Sequence, residues 1–301
     1  METKNKFTMT RREYMKAYKK QSMFREVCAA FMKNRLAVIG LVIFGVILCL
    51  ALGADLLADY EESVIKIDPV NRLQTPSAEH ILGTDELGRD IFSRIIFGAR
   101  ISLRIGVASV LLSLVVGGII GSVSGYCGGR VDYVVMRFVD IFLCLPSMLL
   151  AIAIVAAFGA GETRLLIAIA IAKVPGFARV FRTSIMSVKG FEYVEAARAL
   201  GIPTYKIIMK HILVNAMGPI IVNATMAVAS GITAISGLSF LGLGIAPPEP
   251  EWGTMLSASR AYMRDYPHLV LAPGLAIFFT VFSFNLLGDG LRDALDPRLR
   301  K

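Results

Sequence analysis

The chain has 301 residues, of which 55% are hydrophobic, and a mean hydropathy of +0.63. Only 18% of residues are charged, against roughly 25% in a soluble domain, and they are kept out of long runs, the pattern of membrane spans. A formal charge of +9 invites a nucleic-acid reading, but the position of the charges along the chain accounts for it better, and no nucleic-acid partner is expected.

Residues 1–35 form a basic tail with Lys4, Lys6, Arg11, Arg12, Lys16, Lys19, Lys20, Arg25, Lys33 and Arg35. Phe24, Cys28 and Phe31 recur at helical spacing, which predicts a short helix lying on the inner membrane face. The tail is long and polar for a signal peptide, so the following apolar run reads as an uncleaved anchor. That run, Leu36–Ala54, carries no charge and is long enough to cross about 30 Å of hydrocarbon. A polar, acid-rich segment follows, 55–104. Within it Ile91, Ile95 and Ala99 predict an amphipathic helix over Asp90–Arg100, with Asp90 and Arg94 as an i,i+4 pair.

Ile105–Gly129 reads as the second span. Gly117, Gly121, Gly125 and Gly129 fall four apart on one face. Glycine weakens a helix, so its repetition points to close approach by a neighbouring helix. Arg130, Asp132 and Arg137 mark a short turn, and Ile141–Gly161 reads as the third span, with Pro146 inside it and Asp140 at its edge, either pairing with a nearby basic residue such as Arg137 or serving a proton relay. The fourth span starts at Leu165 and must run through Lys173 and a kinking Pro175 to about Ser184. Lys173 is a candidate for a role in a solute pathway.

Phe191–Asn215 is a helix-favouring polar insert between apolar runs. Gly201 suits the position just past a helix end and Pro203 the start of the next, so two short helices meet at a tight bend. Lys206 and Lys210 share a face of the second helix, and Ile207, Ile208 and Ile212 face protein or lipid. That helix continues into a fifth span within Ile212–Ser236, where Asn215, Asn223 and Thr225 either bond to other helices or line the route. Gly237–Pro267 is an external segment whose Trp252, Tyr262 and Tyr266 suit the membrane interface. Leu269–Gly288 is the sixth span, followed by a polar tail from Asp289.

Six spans place both termini on one side. Of the 32 Lys and Arg residues, 22 then fall on that side and nine on the other. Positive charge stays in the cytoplasm, so both termini and the 191–211 loop face inward. The divisions expected are a tail (1–35), the first span (36–54), an extracytoplasmic segment (55–104), a membrane core (105–290) and a cytoplasmic tail (291–301). Cys28, Cys49, Cys127 and Cys144 have no paired spacing and read as packed thiols. His80, His211 and His268 are scattered and suggest no metal site or catalytic triad.

Glu195-Ala196-Ala197, then Gly201, then His211-Ile212-Leu213, resembles the "EAA loop" of ABC importer permeases, though Val214 stands where that family commonly has proline. His80-Ile81-Leu82-Gly83-Thr84-Asp85, Leu87-Gly88-Arg89-Asp90, Gly98-Ala99-Arg100-Ile101-Ser102-Leu103, Ser239-Phe240-Leu241-Gly242-Leu243-Gly244, Pro250-Glu251-Trp252-Gly253 and Leu295-Asp296-Pro297-Arg298 are similar to the C-type subunit of the dipeptide/oligopeptide/nickel branch. Their order and spacing cover the chain from about residue 25 to its end.

The resemblance implies an all-α, polytopic protein of the type I importer permease fold, in the cytoplasmic membrane, with the loop as a cytoplasmic coupling helix. It implies a second homologous permease, two ATP-binding cassette subunits that hold the ATP-Mg, and an extracytoplasmic solute-binding protein. The cargo would be peptides, with nickel or another small solute as family variants. Glu195, Ala196, Ala197, Arg198, Gly201 and Lys206 would meet the ATPase. No phosphate-cradling GxxxxGK[ST] loop or nucleophile–base arrangement is present, so the chain reads as neither an ATP binder nor an enzyme, and no cofactor of its own is expected. A self-sufficient secondary transporter would need ionisable groups deep in several spans or an inverted repeat. Only Asp140 and Lys173 come near that.

Overall fold

The computed structural model describes residues 23–295, and among these the regular structure is helical, with an isolated bridge between Thr84 and Asp90. The basic residues from Lys4 to Lys20, and Asp296, Pro297 and Arg298, lie outside the described residues.

Helix α1 (Met23–Lys33) precedes α2 (Arg35–Leu52), the first long apolar helix. Asn34 separates them. Its Oδ1 accepts from the Leu36 and Ala37 amides, satisfying donors that a helix start leaves free, and its Nδ2 donates to Asp293 at 3.0 Å. Helix α3 (Ile91–Cys127) has 37 residues, a length of about 55 Å, nearly twice the hydrocarbon thickness. The amphipathic segment and the second span are therefore one helix, not two. Asp90 caps it by accepting from the Ser93 amide at 2.8 Å. The expected Asp90–Arg94 pair does not form, because Asp90 also faces His80 while Arg94 turns inward.

Helices α4 (Gly129–Leu143) and α5 (Ser147–Phe158) meet at 82°. Arg130, Asp132 and Arg137 are thus helical and do not mark a turn, and Ile141–Gly161 is not one helix. Pro146, which has no N–H to give, stands at the break immediately before α5. Asp140 pairs with Arg179 at 2.6 Å, not with Arg137, whose guanidinium lies over the Tyr133 ring. Helix α6 (Glu162–Val188) carries Pro175 within it. Then come α7 (Glu192–Ala199), α8 (Thr204–Phe240, with a π turn at Ile208–Ile212), α9 (Trp252–Ser259) and α10 (His268–Leu295). The polar tail expected from Asp289 is helical as far as Leu295.

Four helices, α2, α3, α8 and α10, are long and apolar enough to cross a membrane, and the bent pair α4–α5 raises the number to five if it counts as one span. Helix α6 falls outside that set, because Lys173, Arg179 and Arg182 interrupt its apolar run.

Helices α3 and α6 pack together along much of their length. A Cβ added at Gly117 would lie 2.7 Å from Phe177 Cβ, one at Gly121 2.8 Å from Phe181 Cβ, and one at Gly125 2.9 Å from the Arg182 carbonyl. Each distance is too short for any side chain larger than hydrogen. Gly129 is not part of this seam. It opens α4 at φ +53, with no atom within 4 Å of the Cβ position. All four cysteines are exposed on the surface of the chain and are not packed in its interior.

A polar cap formed by residues 59–90 covers the start of α3. Asp85 accepts from Arg89 Nε at 2.7 Å and from the Leu87 and Arg89 amides at 2.9 Å. Arg94 donates to the Val64 carbonyl at 2.7 Å and lies 3.5 Å from Asp85. Gly88, at φ +80, lies against the Asp68 backbone where no side chain fits. Trp252 belongs to this core and not to a membrane interface. It is 1% exposed, and its Nε1 donates to the Ile95 carbonyl at 3.0 Å.

Candidate functional site

The 189–212 segment lies at the far end of α3 from the cap. Where α6 ends, Lys189 Nζ donates to the Gly125 carbonyl at 2.8 Å. Helix α7 then runs for eight residues and stops at Leu200. Gly201 adopts φ +73, a region costly for residues with a Cβ. Its amide donates to the Arg198 carbonyl at 3.0 Å, and the Ile202 amide reaches back to Ala197 at 3.2 Å. This pair of bonds is a Schellman motif, which satisfies carbonyls that the helix end leaves free. Ile202 closes it by packing on the apolar cluster beneath. Pro203 follows, and α8 begins at once.

The inner face of the loop is apolar and packed. Val194 and Ala197, one turn apart, join Ile185 and Val188 of α6 and Ile207, Ile212 and Ala216 of α8, all of them buried. Ala197, expected on the docking face, is thus inside the chain, and its small size serves that packing. The outer face holds Glu195, Ala196, Arg198 and Gly201, all exposed, beside Leu200 at 80% and Tyr205 at 64% exposed, with Phe191 and Met209 nearby. Lys206 is exposed, with its ammonium 5.8 Å from the Tyr205 ring centre. Exposed aromatic and aliphatic groups in one patch, rimmed by Glu195, Arg198 and Lys206, form a surface suited to a protein partner.

Two contacts tie this surface to the rest of the bundle. The Arg198 guanidinium lies 5.7 Å from the Tyr126 ring centre near the end of α3. Asn215 Nδ2 donates to the His211 carbonyl at 2.7 Å, and the same side chain faces the Tyr193 hydroxyl. Burial pushes the Tyr193 phenol up, and the Asn215 hydrogen bond opposes that rise. Asn215, a pathway candidate by sequence, thus faces the loop from α8. Tyr126, Lys189 and Tyr193 were not legible as site residues, because their partners lie up to 72 positions away, which no local spacing encodes. Next to the loop, Asp132 takes both Arg182 Nε at 2.5 Å and Nη2 at 2.6 Å, bracing α4 against α6.

The remaining candidates are scattered. Asn223 is exposed on α8 and lines a cleft of about 530 Å³ with Gly218, Pro219, Met226 and Arg292. Lys173 is half-buried on α6, with Nζ 2.6 Å from Ser230 Oγ on α8.

The family model described as "Binding-protein-dependent transport system inner membrane component" matches residues 117–301. A second, described as "N-terminal TM domain of oligopeptide transport permease C", matches residues 22–76. The chain is 46% identical over 283 residues to the dipeptide transport system permease protein DppC of Alkalihalophilus pseudofirmus, covering 94% of this chain and 92% of that one. It is 42% identical to the glutathione transport system permease protein GsiD of Pectobacterium atrosepticum, covering 92% of each. To the oligopeptide transport system permease protein OppC of Bacillus subtilis it is 41% identical, covering 94% of this chain and 92% of that one. Among solved structures, the inward-facing MetNI methionine ABC transporter superposes with a TM-score of 0.56 at 16% identity, over 67% of this chain and 96% of that one. This last likeness concerns the fold alone.

Proposed function

We propose, from the premise that the chain belongs to the family of binding-protein-dependent transport system inner membrane components, that it is the translocation subunit of an ATP-driven importer of small peptides. Relatives named for dipeptides, oligopeptides and glutathione, itself a peptide, support that cargo. The complex would hold a second homologous permease, two ATPase subunits that bind ATP-Mg, and an extracytoplasmic solute-binding protein. In the cytoplasmic membrane α6 would supply the sixth crossing, with both termini and the 191–211 loop in the cytoplasm, in line with the distribution of positive charge.

The observation that carries this reading is the two-faced loop. Its inner face is glued to α6 and α8, and its outer face is exposed and apolar. A force applied at Glu195, Ala196, Arg198, Gly201 and Lys206 would pass through Val194 and Ala197 into both helices at once. Closure of the ATPase pair would thus tilt α6 against α8. Lys173 and Asn223, exposed or half-buried on those helices, would line the route, while Asn215 would brace the loop.

Gly201→Asp and Glu195→Lys test the reading in the assembled complex. Both variants are expected to reach the membrane while ATP hydrolysis no longer drives uptake. Peptide uptake at the normal ratio to ATP consumed, with either variant, would refute the coupling role.

A further inference from the structure

Beyond Arg164 at its first turn, where the guanidinium bonds to the Ala160 carbonyl, helix α6 carries three further cations, and the structure treats them differently. Arg179 and Arg182 each meet a carboxylate, Asp140 and Asp132. Lys173 meets none among the described residues; its polar partner is the Ser230 hydroxyl, at 2.6 Å. It is also the deepest of the three. Eleven residues separate it from Glu162 and fifteen from Val188, so it stands about 16 Å and 22 Å from the ends of a helix rising 1.5 Å per residue.

Ser230 cannot neutralise this charge. Its own hydroxyl hydrogen is directed to the Ala227 carbonyl at 3.1 Å, so its oxygen serves the lysine as acceptor only. A lysine ammonium has three N–H donors. Ser230 takes one, which leaves two without a partner among the described residues. The lysine stem crosses the α8 backbone at Gly231, where a Cβ would sit 3.6 Å from Lys173 Cε. The ammonium is thereby held beside the exposed Ser230, on the same α8 face as Asn223, two turns earlier. An uncompensated cation at this depth is costly and marks a functional position.

We infer that Lys173 and Ser230 form a transient binding station for the carboxylate of the translocated solute. This rests on the peptide reading above and goes beyond it. Every linear peptide carries a C-terminal carboxylate whatever its side chains, so a single cation can serve a mixed cargo. The two free donors match the two oxygens of that group. A lysine meets such a group as a compact point charge that imposes no single orientation on it.

The test uses the whole complex, with its partner permease, ATPase subunits and solute-binding protein, reconstituted in vesicles and supplied with a dipeptide bearing a free carboxylate. The unaltered binding protein presents the same cargo to every variant. Lys173→Gln is expected to assemble, with all subunits co-purifying, while uptake falls about tenfold, the scale of one partly screened charge pair. Lys173→Arg is expected to stay within about twofold of the native rate because the charge remains. Lys173→Glu should fall below Lys173→Gln. Full-rate uptake by Lys173→Gln would overturn the station. So would an equal loss in Lys173→Arg, which would make shape and not charge the requirement, or a failure of Lys173→Gln to assemble, which would make the lysine a structural contact. A native complex that moved no peptide at all would overturn the peptide reading together with the station.

Discussion

At the Ile91 end of α3 the chain buries charges, while at the Cys127 end it buries methyl groups. In the cap, Asp85, Arg89 and Arg94 are each no more than 6% exposed, and their charges are spent on one another and on backbone carbonyls. In the 189–212 loop, Val194, Ala197, Ile207 and Ile212 form the interior, and the charged side chains Glu195, Arg198 and Lys206 face outward. The difference is one of directionality. Hydrogen-bonded ion pairs hold only one arrangement, so the cap is suited to a fixed lid on the membrane core. Apolar packing has no direction and tolerates small sliding, which the coupling role proposed for the loop would require.

The largest effect expected from this contrast lies in the cap. Asp85→Ala leaves Arg89 and Arg94 buried without their shared acceptor, and removing one partner of a buried pair costs about 3–5 kcal/mol. Cleavage by added protease within 55–104 should rise sharply, while the loop at the other end keeps its protection. A cap that stays resistant would mean that Glu86, 3.7 Å from Arg89, suffices as the counter-charge.

Val194→Ala is the matching change at the loop and should cost less. It deletes two buried methyl groups from a fully buried side chain and leaves no stranded charge, so about 1–3 kcal/mol is expected, under the 2–5 of a leucine truncation. Hydrogen exchange should quicken across 189–212 and not across 59–90. Equal losses at the two ends would erase the distinction between a rigid cap and a compliant loop.

The same contrast explains what could be read from the sequence. Helices α2, α8 and α10 were legible because each is a long run almost free of charge, and the bend at Gly201 because helix-end chemistry is local. Glycine spacing likewise foretold close approach at Gly117, Gly121 and Gly125, though it could not say that Gly129 falls past the helix end. Long-range partnerships were not legible. Arg179 and Arg182 find Asp140 and Asp132 some 40 to 50 positions away, whereas the local sequence offered Asp140 only Arg137, three positions before it. Trp252 reads as an interfacial aromatic until Gly98 and the Ile95 carbonyl come to lie against it. The break at Pro146 was not legible because proline can either kink a helix or start one, and the uncharged run from Ile141 continues across it.

The smallest effect belongs to a charge that neither region buries. Arg100 on α3 donates to the Ala51 and Leu52 carbonyls at the end of α2 and to both oxygens of Asp55, joining the first apolar helix to the second. The hydrogen bond from Arg100 holds the Asp55 carboxyl below its ordinary value of 3.8. A carboxylate depressed in the folded state stabilises above its unfolded value, and that contribution fades as pH falls through 3.8 and then through the folded value. Asp55 is fully exposed, so water and salt screen the pair. Asp55→Asn should therefore lower Tm only slightly at pH 7, less than Val194→Ala does, and the two chains should converge as pH drops below about 3.8. Arg100 keeps its two carbonyl contacts in the variant, so the α2–α3 junction should persist. A gap in Tm that did not change with pH would assign the effect to hydrogen-bond geometry. One larger than that of Val194→Ala would show that exposed charge at the cap end outweighs buried methyl groups at the loop.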